Sequence, residues 1–237
     1  MLKKTKAMRK TALTIFLLSG LFVVCIGQIK TDTVSLNQLP KLLSFNGNFI
    51  KCIKWTDKLG LNYLIISQTN IVRSKIAKDL IKSAEIDYIS RSGDTLYNDI
   101  RTDLKDKEIW GVNYVINNDS VKMLWEIYDF IKECYGGVKL DFIEPPIVTD
   151  LDNIGVYQTW LIYKLNCSSD VSPSRMKILL HIGEKKYAVR GTTQVALQGK
   201  LQNEESERKF DKDFEILSNA IINFANDLWR KHKIDNY

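Results

Sequence analysis

Short runs rich in β-branched and aromatic residues, separated by turn-forming residues, recur along most of the chain. Within several runs apolar and polar side chains alternate, which is the period of a strand with one buried face. The runs are residues 49–55, 62–67, 84–89, 110–116, 121–128, 156–163, 175–182 and 186–190. Neighbouring runs joined by short polar turns predict antiparallel hairpins. We therefore predict a mainly β protein, built of antiparallel sheets or meanders in a sandwich or a propeller-like arrangement.

The hydrophobic period changes near the C-terminus. Apolar residues then recur at steps of three and four, namely Phe214, Leu217, Ile221, Phe224 and Leu228. This spacing predicts an amphipathic helix over about residues 211–231. Its polar face mixes Asp, Asn and Glu with Lys, which favours packing on a sheet over binding to a membrane surface. The fold class is thus α+β, with the strands dominant. The charge-rich residues 98–108 are predicted to be a solvated loop.

The N-terminus has the three parts of a secretory signal peptide. Five basic residues lie within the first ten, an uncharged apolar run covers residues 11–24, and Cys25 and Gly27 are small residues that suit cleavage before Gln28. We predict a signal peptide at 1–27 and an exported, periplasmic, surface or secreted single domain at 28–237. Two alternatives remain open. The first is an uncleaved anchor, in which the N-terminal segment would be the chain's one contact with the membrane. The second is a lipidated Cys25, although Val24 occupies a position where a lipidation signal has a small residue.

The charge distribution argues against a nucleic-acid partner. The whole chain has 34 Lys+Arg and 28 Asp+Glu, a net charge of +6. Removing the five basic residues of the leader leaves 29 basic and 28 acidic residues, so the predicted mature domain is close to neutral. Nucleic-acid binding depends on a clear excess of positive charge.

Three cysteines remain beyond the leader: Cys52, Cys134 and Cys167. An odd number in an oxidising compartment predicts one disulfide and one free thiol. Cys134 and Cys167 lie near loops, whereas Cys52 lies inside an apolar strand pattern. We favour a Cys134–Cys167 bridge, with three free cysteines as the alternative.

No motif in the sequence specifies a catalytic reaction or a cofactor. His181 and His232 have no nucleophile or metal ligand at useful spacing, and both are predicted to be surface histidines. Asp150 and Asp152, before Gly155, are weak candidates for Ca²⁺, but Ile154 and Leu161 occupy positions where a calcium loop needs oxygen ligands. A structural turn is the favoured interpretation, so we predict no metal site, no catalytic residue and no cofactor.

Several segments resemble one known family. They are residues 54–60, 125–134, 148–164, 167–177 and 186–191, together with the Trp-containing terminal helix. The chain is similar in these segments to an exported Bacteroidota family labelled as associated with surface polysaccharide biosynthesis. Members of that family carry an Asp-x-Asn-x-Asp-Gly turn, of which this chain keeps Asp150, Asp152 and Gly155. The resemblance implies a pathway and no reaction, so it assigns no catalytic residues.

Two functional hypotheses follow from these observations. The first is a non-catalytic envelope protein that binds a surface glycan or works with envelope assembly proteins. Its ligand would contact Asp170, Ser172, Arg175 and Arg190, with stacking faces from Trp55, Trp110, Trp125 or Trp160. The second is a glycan hydrolase or transferase that uses a carboxylate pair including Asp150 or Asp170, one of them with a raised pKa. A purely structural role is a third possibility.

Overall fold

The protein folds mainly into antiparallel β-sheets, as predicted, in a computed structural model that describes residues 29–79, 82, 103–118, 120–202 and 206–237. The strands are β1 (Asp32–Val34), β2 (Asn48–Asp57), β3 (Gly60–Gln68), β4 (Val72–Arg73), β5 (Lys105–Asn117), β6 (Ser120–Cys134), β7 (Gly137–Phe142), β8 (Ile147–Thr149), β9 (Gln158–Ser168), β10 (Arg175–Ile182), β11 (Lys185–Thr192), β12 (Gln194–Leu197), β13 (Lys200–Leu201), β14 (Arg208–Phe210) and β15 (Ile234–Asn236). An α-helix, Asn219–His232, lies near the C-terminus, and residues 75–79 are also helical.

The first sheet contains β1 to β6. Strands β1, β2, β3 and β5 follow one another across it, all antiparallel, and β4 and β6 also pair with β5. The predicted hairpin at residues 49–67 is the β2–β3 pair, in which Asp57 is opposite Gly60 across the turn. Gly60 has a φ of +130°, a backbone conformation that favours glycine.

The second sheet contains the strands from β7 to β11 together with β14. Its order is β14-β11-β10-β9-β7, and β8 also pairs with β9. The predicted hairpin at residues 175–190 is the β10–β11 pair, whose turn is formed by Gly183 and Glu184. A third, small sheet joins β12 to β13 and, in parallel, to the C-terminal strand β15.

The two large sheets share a core and therefore form a β-sandwich. The side chains of this core come from the facing surfaces of both sheets. From the first sheet they are Ile53, Trp55, Leu64, Ile66, Ile109, Trp125, Ile127, Ile131 and Cys134, and from the second Leu140, Val148, Leu161, Tyr163, Leu165, Leu179 and Ala188. Of the two arrangements predicted from the sequence, the sandwich is the one observed.

Part of the outer face of each large sheet is also covered. The C-terminal helix packs Ile221, Ala225, Leu228 and Trp229 against the outer face of the second sheet, which includes Trp160 and Ile178. Residues before β2, such as Leu43, cover Cys52, Ile65 and Tyr114 on the first sheet. Central strands are consequently buried on both sides, so that six consecutive residues of β3, 62–67, are buried.

The C-terminal helix is shorter than predicted. It begins at Asn219, not near residue 211, because Ser218 caps it by accepting a hydrogen bond from the Ile221 N–H. Residues 212–214 form a short 3₁₀ helix instead, and its Phe214 is buried in the same core cluster as the helix. The apolar period predicted the buried positions correctly but not the point where the helix begins.

The predicted loop at residues 98–108 was wrong over its last four residues, which belong to β5. Their charged side chains are accommodated by partners: Lys107 forms an ion pair with Asp141, and Lys132 contacts both Asp106 and Glu108. The predicted signal peptide at 1–27 and the predicted strand at 84–89 lie outside the described residues. Within the part of the chain that the structure describes, no helix is long and apolar enough to cross a membrane.

Candidate functional site

A polar groove opens between strand β6 of the first sheet and the inner face of the second sheet. It has a volume of about 170 Å³. Its floor is apolar, from Ile127 and Leu179, and its polar lining consists of Glu126, Tyr128, Asp129, Tyr163, Lys177, Lys186 and Arg190. We call this feature the edge groove, because the described residues place no strand on the side of β6 opposite β5.

Asp129 is the centre of the hydrogen bonding in the edge groove. Its Oδ2 accepts a hydrogen bond of 2.8 Å from the Tyr163 hydroxyl and another from the Lys177 ammonium. Burial alone would raise the pKa of Asp129, but the bonds from Lys177 and Tyr163 outweigh burial and hold its pKa below the usual range. Asp129 is therefore ionised at neutral pH. Burial and the neighbouring Asp129 charge raise the pKa of Tyr163, which stays a hydrogen-bond donor.

Arg190 and Lys186 add positive charge on the second-sheet side of the groove. Arg190 is opposite Lys177 in the β10–β11 register and also forms an ion pair with Asp211. Lys186 and Glu126 are exposed. The groove thus presents donors and acceptors of both charge signs, which suits a ligand rich in hydroxyl groups or mixed polar groups.

An exposed row of aromatic side chains adjoins the edge groove on the outer face of the first sheet. Trp110 and Tyr128 are directly opposite in the β5–β6 register, and their rings stack with centroids 5.5 Å apart. Phe130 follows Tyr128 on the same face, at 5.4 Å. Tyr128 and Phe130 keep 49% and 47% of their surface exposed. We call these three residues the aromatic row; Tyr128 belongs both to it and to the groove.

The aromatic row has a charged neighbour that fixes the Tyr128 ring. The Tyr128 hydroxyl donates a 2.8 Å hydrogen bond to Glu108 Oε1, and Lys132 binds the same oxygen. Burial raises the pKa of Glu108, but these bonds from Lys132 and Tyr128 outweigh it and lower the pKa. Burial, followed by the bond to Glu108, raises the pKa of Tyr128 to about 12. The row is therefore a preformed surface with a carboxylate at its edge.

Of the four predicted ligand-binding residues, Arg190 lines the edge groove and the other three do not. Ser172 is occupied locally: its hydroxyl accepts a 3.0 Å hydrogen bond from Asn166 Nδ2. Asp170 lies in an exposed turn whose backbone bonds to Ser168 Oγ, and Arg175 is exposed at the start of β10. No hydrogen bond or ion pair joins any two of these four described residues.

Of the four Trp residues proposed as stacking faces, three are buried in the core and one reaches the surface. Trp55, Trp125 and Trp160 are 5%, 7% and 0% exposed and belong to the core. Trp110 is half-buried and reaches the surface in the aromatic row. Sequence reasoning missed Tyr128 and Phe130: Tyr128 is the last residue of the predicted run 121–128 and Phe130 lies beyond it, whereas β6 extends to Cys134 and places both on one face.

The turn that contains Asp150 and Asp152 is held by protein contacts. Asp152 Oδ1 accepts a 2.6 Å hydrogen bond from Gln158 Nε2, and Gln158 Oε1 accepts from Thr149 Oγ1 and from the Leu151 N–H. The Gly155 carbonyl accepts from the Lys58 N–H, so this turn is attached to the β2–β3 turn. No group of three or more possible metal ligands is found among the described residues.

The enzymatic hypothesis names a carboxylate pair that includes Asp150 or Asp170, whereas the two carboxylates of the groove are Glu126 and Asp129. That hypothesis needs one carboxyl with a raised pKa, whereas the pKa of Asp129 is lowered. Asp150 and Asp170 belong to separate turns and do not line the groove.

The prediction that His181 is a surface residue was wrong. His181 is 2% exposed and stacks on Trp125, with centroids 3.9 Å apart and the rings nearly parallel. Its face of β10 is covered by the first sheet, while the opposite face is covered by the C-terminal helix. Burial, followed by the charge of Lys186, lowers the pKa of His181 to about 3. His232 is also largely enclosed, next to Glu144.

Cys134 and Cys167, the pair favoured from the sequence, form a disulfide with a Cα–Cα distance of 5.7 Å. It joins Cys134, the last residue of β6, to Cys167, near the end of β9. Cys52 is a free thiol, fully buried, and burial raises its pKa to about 12. It is therefore an unreactive core residue.

Comparison of the chain with protein-family models, with curated proteins and with solved structures finds no match.

Proposed function

We propose that this is an exported envelope protein that binds a surface glycan through the edge groove and the aromatic row. The observation that carries the proposal is that Tyr128 belongs to both features, so that the exposed aromatic row and the groove lined by charged hydrogen-bonding groups meet at the free edge of β6. A contiguous row of exposed aromatic side chains on the surface of a folded protein often marks a binding site.

The chemistry of sugars matches this combination. A sugar ring has C–H groups on its faces and hydroxyl groups around its edge. The C–H groups can pack on the rings of Tyr128 and Phe130, while the hydroxyl groups can bond with Glu126, Asp129 and Lys177. Tyr128 and Phe130 lie on the opposite face of β6 from Ile127 and Asp129, so a ligand that crosses the free edge of β6 would contact both surfaces.

The signal peptide predicted from the sequence and the near-neutral charge of residues 28–237 support the same proposal. An exported domain without a large charge excess meets glycans and envelope proteins rather than nucleic acids. The segments that resemble a polysaccharide-biosynthesis family are consistent with a role in surface glycan assembly. We propose binding as that role, because burial of Asp129, the central carboxylate of the groove, is outweighed by its bonds to Lys177 and Tyr163, which lower its pKa.

A glycan array probed with the purified protein tests the proposal. We expect binding to at least one bacterial surface polysaccharide, and we expect the Tyr128→Ala, Phe130→Ala double variant to bind about tenfold more weakly or worse, because buried aromatic contacts dominate such interfaces. Titration calorimetry with the identified glycan gives the affinity.

Met123→Ala is the matched control for that variant. Met123 is 51% exposed on the same strand but does not belong to the aromatic row or the edge groove. Its removal should leave the affinity unchanged. A protein that binds no polysaccharide on the array, or a double variant that binds as tightly as the Met123→Ala protein, would contradict the proposal.

A further inference from the structure

A small polar cavity lies inside one end of the sandwich, apart from the edge groove. It has a volume of about 10 Å³ and is lined by residues of both sheets. Three buried side chains in its lining each have an atom that makes no hydrogen bond to the described protein: Asn113 Oδ1, Thr159 Oγ1 and His181 Nδ1. These side chains are 1%, 2% and 2% exposed. Buried polar atoms in folded proteins nearly always have a partner.

The orientation of Asn113 follows from a chain of hydrogen bonds that starts at Asp57. Asp57 Oδ1 accepts a 3.0 Å bond from Asn62 Nδ2, which leaves Asn62 Oδ1 to accept a 3.2 Å bond from Asn113 Nδ2. Because a carboxylate can only accept, neither amide can be reversed without loss of a bond. Asn113 Oδ1 is thereby fixed as an acceptor that lacks a donor.

The other two atoms need a partner that can both donate and accept. His181 is neutral, so its Nδ1 can accept a hydrogen bond when the ring proton is on Nε2. The Thr159 hydroxyl has a proton to donate. A group that donates to Asn113 and His181 and accepts from Thr159 would satisfy all three.

The occupant must also be uncharged. Asp57, the carboxylate in the cavity lining, already accepts from the Leu59 and Tyr157 N–H groups, from Asn62 and from the Trp55 indole, so it has little capacity left to neutralise a cation. The positive charge of Lys186 acts on His181 from the neighbouring strand. A metal ion or ammonium group is therefore disfavoured, and an anion would oppose the Asn113 oxygen.

We propose that this cavity is a specific binding site for one water molecule, which donates to Asn113 Oδ1 and His181 Nδ1 and accepts from Thr159 Oγ1. The volume is that of a single water, and three hydrogen bonds are the usual number for a buried one. The water links Asn113 of the first sheet to Thr159 and His181 of the second, at the point where Trp125 stacks on His181. This inference is independent of glycan binding.

A crystal structure of the protein at about 1.5 Å resolution tests the proposal, since it would show a water at hydrogen-bond distance from all three atoms. Water-to-protein cross-relaxation in NMR provides the second measurement: we expect a long-lived water near the Thr159 methyl group. A cavity that is dry, filled by a protein side chain, or occupied by an ion would overturn the proposal.

The Thr159→Val variant removes one of the three partners at nearly constant volume, and we expect the water density and the cross-relaxation signal to be lost. Ser67→Ala is the matched control, because Ser67 is also a buried hydroxyl without a hydrogen bond to the described protein but does not line the cavity. It should retain the water. A water that persists unchanged in Thr159→Val would overturn the three-partner site. If that variant does not fold, the measurements on the unaltered protein decide the question.

Discussion

His181 shows at the scale of one residue why burial could not be deduced from local pattern. The alternation along β10 correctly separates Met176 and Ile178 from Lys177 and His181, but it does not reveal that a second sheet covers the latter face. Lys177 and His181 share that face, yet Lys177 reaches the groove while His181 lies under Trp125. The exposure of each side chain on this face of β10 depends on how far the first sheet extends over it, and only the tertiary structure shows this.

The buried His181 should make stability fall with acidification. Its pKa is about 3 in the folded protein and about 6.5 when unfolded, so between these values only the unfolded chain binds the proton. We expect the free energy of unfolding to fall by about 1.4 kcal/mol per pH unit from this group as the pH drops below 6.5. His181→Phe keeps an aromatic ring on Trp125 and should remove this slope. Urea unfolding between pH 4 and 7 measures it.

His232→Phe is the control for that experiment. The pKa of His232 is also lowered, by burial, but the nearby Glu144 opposes the shift, so its removal should change the slope less. Equal slopes for the His181→Phe and unaltered proteins would show that His181 is protonated in the fold.

The ion pair of Lys164 and Asp235 is the clearest case of a residue that the sequence did not indicate. Asp235 Oδ1 accepts from Lys164 at 2.8 Å, and Oδ2 accepts from Thr193 Oγ1 and the Ser174 N–H. Lys164 and Asp235 are 71 positions apart in the sequence, so only the fold brings them together. Burial raises the pKa of Asp235, but the bonds from Lys164, Thr193 and Ser174 outweigh it and lower the pKa well below its usual range.

Asp235→Asn should destabilise the protein by about 3–5 kcal/mol at pH 7, because it leaves the buried Lys164 without its counter-charge. The stabilisation from a lowered carboxyl pKa is present above the unfolded value near 3.9 and is lost as the pH falls, so the difference between variant and parent should shrink below pH 4. Asp32→Asn, which removes an exposed ion pair with Lys54, should cost less than about 1 kcal/mol. Similar losses in both variants would contradict this account.

At the scale of elements, local sequence patterns predicted the hairpins well and the element ends poorly. The β2–β3 and β10–β11 hairpins follow directly from apolar runs around turns with Asp57 and Gly183. Strand β5 begins earlier than predicted because Lys107 and Glu108 find charged partners across the sheet and the sandwich. The helix begins later than predicted because the Ser218 cap outweighs continuation of the apolar period. Partners and caps, rather than composition, decide where these elements end.

The Cys134–Cys167 disulfide restrains the element that borders the edge groove. It closes a 33-residue separation between the end of β6 and β9. Replacing both cysteines by serine should lower the free energy of unfolding by about 3–4 kcal/mol, mainly because the unfolded chain gains entropy. Urea unfolding of the double variant measures this loss, and the unaltered protein with its disulfide reduced should behave alike. A double variant as stable as the oxidised protein would contradict the prediction.

At the scale of the whole molecule, the layers explain which part of the surface is free to bind. The N-terminal segment covers the outer face of the first sheet over Cys52 and Tyr114, and the helix covers the outer face of the second. Neither cluster includes Tyr128 or Phe130, which keep about half of their surface exposed next to the groove. The sequence predicted the sheets and the helix but not this groove, because the groove depends on how far one sheet overlaps the other.

The position of a bound glycan on the protein shows whether the edge groove and the aromatic row form the binding site. We would titrate the isotopically labelled protein with a polysaccharide fragment that it binds and follow side-chain and backbone NMR signals. We expect shift changes at Tyr128, Phe130, Lys177 and Arg190, with the helix at Asn219–His232 unchanged. Shift changes confined to the turn of Asp170 and Ser172 with Arg175, or to the helix, would contradict the assignment of the binding site to the edge groove and the aromatic row.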